Sequence, residues 1–169
     1  RMSEAPERLS VLVENKSGYK NLCKLLTAGA LAHPKGQAVY DWKLVEQYAE
    51  GLRCLTRADE ATVHRISGIF KGRTHIELQR HHLRAEEHHN VRLIDLARKL
   101  RLPLVATNGV RYARSEDKEL HDVLTCIREG RNVDTAGSLL GMNRERHIKT
   151  AEEMTRLFAD LPEALDGAW

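Results

Sequence analysis

The 169-residue sequence is poor in cysteine and has no long apolar segment. Its three cysteines, Cys23, Cys54 and Cys126, lie far apart and form no Cys-x-x-Cys pair, which argues against a disulfide framework or a thiolate zinc site. No apolar run approaches the roughly 18 residues that a membrane span requires, and the first residues lack the apolar region of a signal peptide. We therefore expect a soluble, cytoplasmic protein with no membrane partner.

The sequence also lacks the short motifs that mark common enzyme sites. It has no glycine-rich phosphate loop, no Gly-x-Ser-x-Gly elbow and no pair of carboxylates of the polymerase type on facing strands. The 27 basic and 24 acidic residues give a formal charge of +3, far from the dense positive charge that by itself indicates nucleic-acid binding. A hydrophobic content of 41% is enough for the core of one α/β domain, or of a large part of one.

The pattern of apolar residues predicts the secondary structure. Short apolar runs alternate with longer segments of helical period, which is typical of an α/β fold with βα units around a mostly parallel sheet. The runs predict strands at Leu9–Val13, Leu52–Thr56, His75–Gln79 and Leu104–Thr107. Ser17, Asp41 and Thr150 are predicted to cap helices, and two further helices are predicted to begin at Asp59 and Ser115.

The last third of the chain has its own pattern. The helix that begins at Ser115 carries an apolar stripe on one face, and Gly130 ends it. The stripe consists of Leu120, Val123, Leu124 and Ile127. Residues 132–169 are predicted to be a connector with one short helix, so we place the boundary of the main domain, 1–131, before this connector.

Nine histidines raise the question of a metal site. The ones of interest are His75, His81, His82, His88 and His89. Helix-borne ligands converge best at i, i+4, whereas these histidines include two adjacent pairs whose side chains would point about 100° apart. We interpret the His-rich segment as a solvated loop, with metal ligation as the alternative.

Two positions near strand ends are candidates for a site. Glu77 shares one face of its strand with His75 and Gln79, so it points away from the apolar layer or into a polar barrel centre. Asn108-Gly109 follows the fourth strand at its carboxyl end, where α/β folds place their sites. Structural roles are the alternatives, as a hydrogen-bond partner for Glu77 and as a plain turn for Asn108-Gly109.

A group of basic residues follows the last βα unit. Its members are Arg128, Arg131, Arg144, Arg146 and Lys149. They are candidates for contacts with nucleic-acid phosphates. Acidic residues are interspersed among them, so an ordinary solvated surface is the alternative.

Several of these segments resemble one family in order along the chain. Residues Leu12–Leu22 match the "L-x-E-N-x-x-G-Y-x-N-L" turn of the α subunits of bacterial C-family DNA polymerases. The match continues through Glu77–His81, Val105–Asn108, Asp122–Arg128 and Glu153–Leu165. The chain is thus similar to the C-terminal part of their polymerase-and-histidinol-phosphatase (PHP) domain, most of all to that of the error-prone branch.

The resemblance implies a partial, distorted βα barrel that precedes a polymerase palm. It implies a parent DNA-directed DNA polymerase of the error-prone, translesion type, with DNA, deoxynucleotides and accessory replication or mutagenesis proteins as partners. The nucleotidyl-transfer aspartates and their Mg2+ would lie outside this chain, so no catalytic residue is assigned here. The ends of the sequence look arbitrary, and we expect an excised fragment that self-associates through exposed strand edges.

Metal-binding members of the family hold a cluster of divalent cations in this barrel. At the matching positions this chain has Arg8, Ala58, Gly109 and Arg111, none of which offers a suitable donor. The resemblance therefore implies a degenerate site without metal or cofactor, next to Glu77, His81 and Asn108. We expect Arg111 to fill the vacant space and to pair with Glu77 or Asp59.

Two other functions remain open from the sequence. One is an active metal-dependent phosphoesterase or proofreading exonuclease, against which the substituted ligand positions argue. The other is a nucleic-acid-binding module that uses the basic residues between 128 and 149.

Overall fold

A computed structural model describes residues 9–167 as an α/β fold around an open, mostly parallel sheet. Its strands are β1 (Ser10–Val13), β2 (Leu52–Thr56), β3 (Thr74–Gln79) and β4 (Leu104–Thr107). Their order in the sheet is β1-β2-β3-β4, with β1 antiparallel to β2 and β2 parallel to β3. All four strands were predicted from the sequence, and no bound differs by more than one residue.

The helices are α1 (Lys16–Leu31), α2 (Trp42–Gln47), α3 (Glu60–Phe70), α4 (Arg84–Leu100), α5 (Lys118–Glu129), α6 (Ala151–Leu157) and α7 (Glu163–Asp166). Asp41 and Thr150 cap their helices as predicted, and Asp59 caps the helix that was predicted to begin there. The predicted connector contains the two short helices α6 and α7 instead of one. No helix within residues 9–167 has the length and apolar character needed to cross a membrane.

The start of α1 differs from the prediction. Asn15, not Ser17, is the capping residue, and its Oδ1 accepts a hydrogen bond of 2.9 Å from the N–H of Gly18. Gly18 lies against the turn before β2, where a Cβ at position 18 would be 1.9 Å from the carbonyl oxygen of Gly51. The helix therefore begins two residues earlier, and glycine is required for its close approach to that turn.

The chain forms two compact units. Within the described residues, the first comprises 9–77 together with Leu93–Val105, and the second comprises Leu78–Arg92 with 106–167. The first unit has a core in which α1, α2 and α3 contribute Leu25, Trp42 and Phe70. These two units do not define the extent of the predicted main domain, so its boundary at residue 131 stays a prediction.

The second unit contains α5, α6 and α7. Phe158 and Ala164 are fully buried there, and the guanidinium carbon of Arg80 lies 4.9 Å from the centre of the Phe158 ring. Arg80 also donates to the carbonyl oxygen of Leu157 at 2.8 Å and to Asp160 Oδ2 at 2.9 Å. The guanidinium thus ties the end of α6 to the end of β3.

Candidate functional site

The turn after β3 places His81 at the centre of a polar network in the second unit. Its side chain is 1% exposed, and its Nδ1 lies 2.9 Å from Glu86 Oε1 in the first turn of α4. The backbone N–H of His81 donates to the other oxygen of the same carboxylate at 2.7 Å. The next residue, His82, has a left-handed backbone with φ 56°, which reverses the chain between β3 and α4.

The second ring nitrogen of His81 also has an oxygen neighbour. Its Nε2 lies 2.9 Å from the backbone carbonyl oxygen of Asn108, just after β4. A carbonyl oxygen and a carboxylate only accept hydrogen bonds, so each ring nitrogen of His81 faces an acceptor. Metal ligation needs a lone pair on one ring nitrogen, and this geometry directs both nitrogens at protein oxygens.

Asn108 fixes a later segment of the chain to the same place. Its Nδ2 donates to the carbonyl oxygens of Glu145 at 2.8 Å and His147 at 2.6 Å. From the same segment, Asn143 donates through its Nδ2 to the carbonyl oxygen of His81 at 2.5 Å. The Asn108-Gly109 turn is therefore part of a buried network, which gives it more than the role of a plain turn.

The segment around residues 143–147 places Arg146 beside Gly109. A Cβ at position 109 would lie 2.6 Å from Arg146 Nη1 and 2.6 Å from Gln79 Oε1, and the backbone φ of Gly109 is 48°. Arg146 donates to Gln79 Oε1 at 3.2 Å and lies 3.9 Å from Glu86 Oε1. A guanidinium thus occupies the space next to Gly109.

The prediction that Arg111 fills this space is wrong. The Arg111 side chain is exposed, and only its backbone N–H reaches Arg146, with a hydrogen bond of 2.8 Å to the carbonyl oxygen. Asp59, one of its two predicted partners, caps α3 and accepts hydrogen bonds from Thr62, which lower its pKa. Arg146 was predicted only as a nucleic-acid contact. Its position beside Gly109 was not predicted because 37 residues separate the two and no sequence periodicity connects them.

The solvated-loop interpretation of the histidines is wrong for His75 and His81. Both are buried, whereas His82 and His88 are exposed. His88 and His89 lie on α4 and not in a loop. The sequence pattern did not show which histidines are buried. His81 is buried and His82, the next residue, is exposed, because the chain reverses between them.

His75 belongs to a second polar cluster, in the first unit. Its Nε2 lies 3.2 Å from Arg53 Nη1, and Arg53 also forms an ion pair with Glu14. Burial, and after it the charge of Arg53, lowers the pKa of His75. A neutral ring whose Nε2 accepts from the guanidinium fits both observations.

The other predicted degenerate positions differ in location. Arg8 lies outside the described residues. Ala58 is half-buried after β2, and its backbone N–H donates to Thr56 Oγ1 at 3.2 Å. Glu77 is half-buried on β3 in the first unit, whereas His81 and Asn108 are brought together in the second.

The candidate basic contacts do not share one environment. Lys149 is 6% exposed and pairs with Glu145 at 2.7 Å, an interaction that lowers the pKa of Glu145. Arg146 lies in the network around His81. Arg128, Arg131 and Arg144 are exposed, and Arg128 and Arg144 form ion pairs with neighbouring glutamates. A nucleic-acid contact stays a prediction for these three arginines.

No group of three or more His, Cys, Asp or Glu side chains within residues 9–167 is arranged to hold a metal ion. Two such side chains, His81 and Glu86, meet in the network, but their third neighbour is the cationic Arg146. The arrangement can hold a buried positive charge and fix three segments of the chain. It offers no vacant set of ligands.

Comparison with known proteins gives one family and a consistent set of relatives. The PHP domain family matches residues 1–90. DNA polymerase III subunit alpha of Pseudomonas aeruginosa is 34% identical over 94% of this chain and 15% of its own length. The error-prone DNA polymerase of Anaeromyxobacter dehalogenans is 35% identical over 96% of the chain and 15% of its own length. The error-prone DNA polymerase of Caulobacter vibrioides is 34% identical over 98% of the chain and 16% of its own length. The chain thus spans about 15% of the length of the relatives it matches.

Proposed function

Because this chain belongs to the PHP domain family, we propose that it is a part of a C-family DNA polymerase in which the domain has a structural role and no metal site. The proposal rests on one observation. The position next to Asn108, where metal-binding members supply a ligand, is Gly109, and the guanidinium of Arg146 occupies the adjoining space.

The surroundings of this guanidinium support the proposal. Arg146 faces Glu86, and Glu86 already interacts with His81 at 2.9 Å. The two side chains that would suit a cation best thus interact with each other and with an arginine. A divalent cation would have to displace the positively charged guanidinium and break two contacts of His81, at a cost that few ligands would offset.

The wider assignment follows from the relatives. Both the replicative and the error-prone polymerases align over nearly the whole chain, and the similar identities do not separate the two types. We assign the parent to the error-prone type on the motifs of Asn108–Tyr112 and Asp122–Arg128. Its partners would then be DNA, deoxynucleotides with Mg2+ at a distant palm, and accessory replication or mutagenesis proteins, all in the cytoplasm. The open sheet would be one part of a distorted βα barrel.

Metal analysis tests the proposal. We expect the purified chain, and the polymerase that carries it, to hold far less than one equivalent of Zn, Mn or Fe at the PHP domain after dialysis against each metal. Chelation should leave the unfolding temperature of the chain unchanged. Stoichiometric metal together with a lower unfolding temperature after chelation would refute the proposal and favour the phosphoesterase alternative.

A further inference from the structure

Helix α1 of the first unit carries three lysines on one side and no acidic residue. Lys16, Lys20 and Lys24 lie at i, i+4 and i+8, and we call them the α1 lysine stripe. Within residues 9–167, none of the three forms an ion pair with a carboxylate. The stripe holds as many positive charges as the formal net charge of the whole chain, +3. This charge is therefore concentrated on one helix without an internal counter-charge.

The position of the stripe within α1 is electrostatically unfavourable. Lys16 is the first residue of the helix and Lys20 lies one turn further on. Cations stabilise the C-terminal end of a helix and not its start, and like charges four residues apart repel each other. An anionic ligand bound along the stripe would offset both effects.

The stripe borders a groove of about 790 Å3 that also has aromatic and apolar walls. The other residues that line the groove are Tyr19, Cys23, Thr27, Ala28, Leu31 and Tyr48. Tyr19 is 64% exposed, so its ring is open to a ligand, and Tyr48 is half-buried at the end of α2. Two tyrosine side chains thus share one groove with three unpaired cations.

The stripe lies on the outer side of α1. The buried residues of the helix are Gly18, Leu25 and Gly29, and the helical period places the lysines on the opposite side. In a βα barrel the helices form one ring around the strands. Strands that complete the proposed barrel would therefore lie on the buried side of α1 and leave its lysine side open.

We propose that this groove binds single-stranded nucleic acid. Four residues of α1 advance about 6 Å along the helix axis, a distance comparable with the separation of successive phosphates along one strand. Bases of a single strand stack on aromatic side chains while cations contact its backbone. A duplex keeps its bases stacked inside, and an acidic peptide has no bases, so neither would use the tyrosines in this way.

The inference goes beyond the proposed structural role and does not depend on the metal site. It also differs from the predicted contacts in the second unit. Arg128 and Arg144 already form ion pairs with glutamates, whereas the α1 lysine stripe is unpaired within the described residues. Release of counterions by phosphates requires such unpaired cations.

Fluorescence anisotropy with a thymidine oligonucleotide of about 12 nucleotides measures the binding. Replacing all three lysines of the stripe by glutamine should weaken binding at least tenfold at low salt. The slope of log K against log salt should become shallower by about 2, since each phosphate contact of a single strand contributes about 0.7.

A second triple variant is the matched control. Lys35→Gln, Lys43→Gln and Lys71→Gln remove the same charge from exposed positions outside the groove. This variant should bind less than threefold more weakly than the unchanged chain, and both triple variants should keep its circular dichroism spectrum. An equal loss of affinity in the two folded variants would show that only net charge matters, which would overturn the inference.

Tyr19→Leu tests stacking on the aromatic ring. It should weaken binding of the oligonucleotide severalfold and leave the salt slope unchanged, because no charge is removed. Polyglutamate of the same total charge should compete far less well than unlabelled oligonucleotide. Equal competition by polyglutamate, with no effect of Tyr19→Leu, would identify an acidic polypeptide as the ligand and contradict the inference.

Lysine acetylation of the full-length polymerase tests whether another part of the polypeptide covers the groove. Without DNA, the three lysines of the stripe should react about as fast as the exposed Lys71, and the oligonucleotide should slow them at least fivefold. Slow acetylation before the oligonucleotide is added would reveal a covered groove, and unchanged acetylation after it would reveal no binding there. Either result would refute the inference. Metal content, measured on the same preparation, tests the proposed function separately.

Discussion

The Nδ1 of His81 lies 2.9 Å from Oε1 of Glu86, and both side chains are largely buried, with exposed fractions of 1% and 11%. Five residues separate the two along the chain, and the carboxylate also accepts the backbone N–H of His81. One glutamate thus fixes both the turn and the ring. The ring in turn holds the end of β4 through Asn108.

His81→Ala should destabilise the protein by about 3 kcal/mol, because it removes the ring that contacts a largely buried carboxylate and a buried carbonyl oxygen. Urea denaturation followed by circular dichroism would measure the change. His88→Ala, at an exposed position of α4, is the matched control and should change the free energy of unfolding by less than about 0.5 kcal/mol. A loss below that value for His81→Ala would show that the network is unimportant for stability.

Gly109→Asp should destabilise the protein by about 2 kcal/mol, because the new Cβ meets Arg146 and Gln79 and the backbone has a positive φ. Adding Arg146→Ser should recover part of this loss, since it removes one of the two clashing groups. Differential scanning calorimetry of the single and double variants gives the coupling energy. Strict additivity would mean that residues 109 and 146 do not share the space.

The lowered pKa of His75 predicts a specific pH dependence. Since the folded pKa lies below the unfolded value of about 6.5, the unfolded state binds more protons, and stability decreases as the pH falls below about 6.5. His75→Gln retains an acceptor for Arg53 but does not titrate, so the stability of this variant should decrease less between pH 6.5 and pH 5. Chemical denaturation at several pH values measures the slopes.

Arg80→Ala should destabilise the protein by about 2 kcal/mol, because it removes the hydrogen bonds to Leu157 and Asp160 and the contact over Phe158. Asp160→Asn should cost less than about 1 kcal/mol, since this carboxylate is 67% exposed. The hydrogen bond from Arg80 lowers the pKa of Asp160, so the effect of Asp160→Asn should decrease as the pH falls below about 4. Thermal unfolding at pH 7 and pH 3 compares the two variants. A cost of Asp160→Asn that stays the same at pH 3 would exclude the charge of Asp160 as its source.

The sequence predicted those features that depend on residues close together in the chain. The strands at Leu52–Thr56 and Leu104–Thr107 and the cap at Thr150 depend on local period and local hydrogen bonds, and they were confirmed. The cap at Ser17 was wrong because the contact of Gly18 with Gly51 selects the start of α1. That contact joins positions 33 residues apart.

The polar network could be predicted only in part for the same reason. The resemblance drew attention to His81 and Asn108, which the structure brings together at 2.9 Å. It gave no indication that Arg146 lies beside Gly109, because that placement depends on hydrogen bonds from Asn108 to the backbone of a distant segment. The exposed apolar face of α5, with Leu120, Leu124 and Ile127, was equally hidden, since a helical stripe shows which residues share a side and not which side is buried.

The close approach of Arg146 to Gly109 has an evolutionary consequence. A lineage that gained an acidic residue at position 109 would place it against the guanidinium of Arg146, while one that first lost Arg146 would remove the guanidinium that lies 3.9 Å from Glu86. Either substitution alone, at position 109 or at position 146, would lower the stability of the protein. The proposed loss of the metal site would therefore be difficult to reverse by single substitutions under selection for a stable protein.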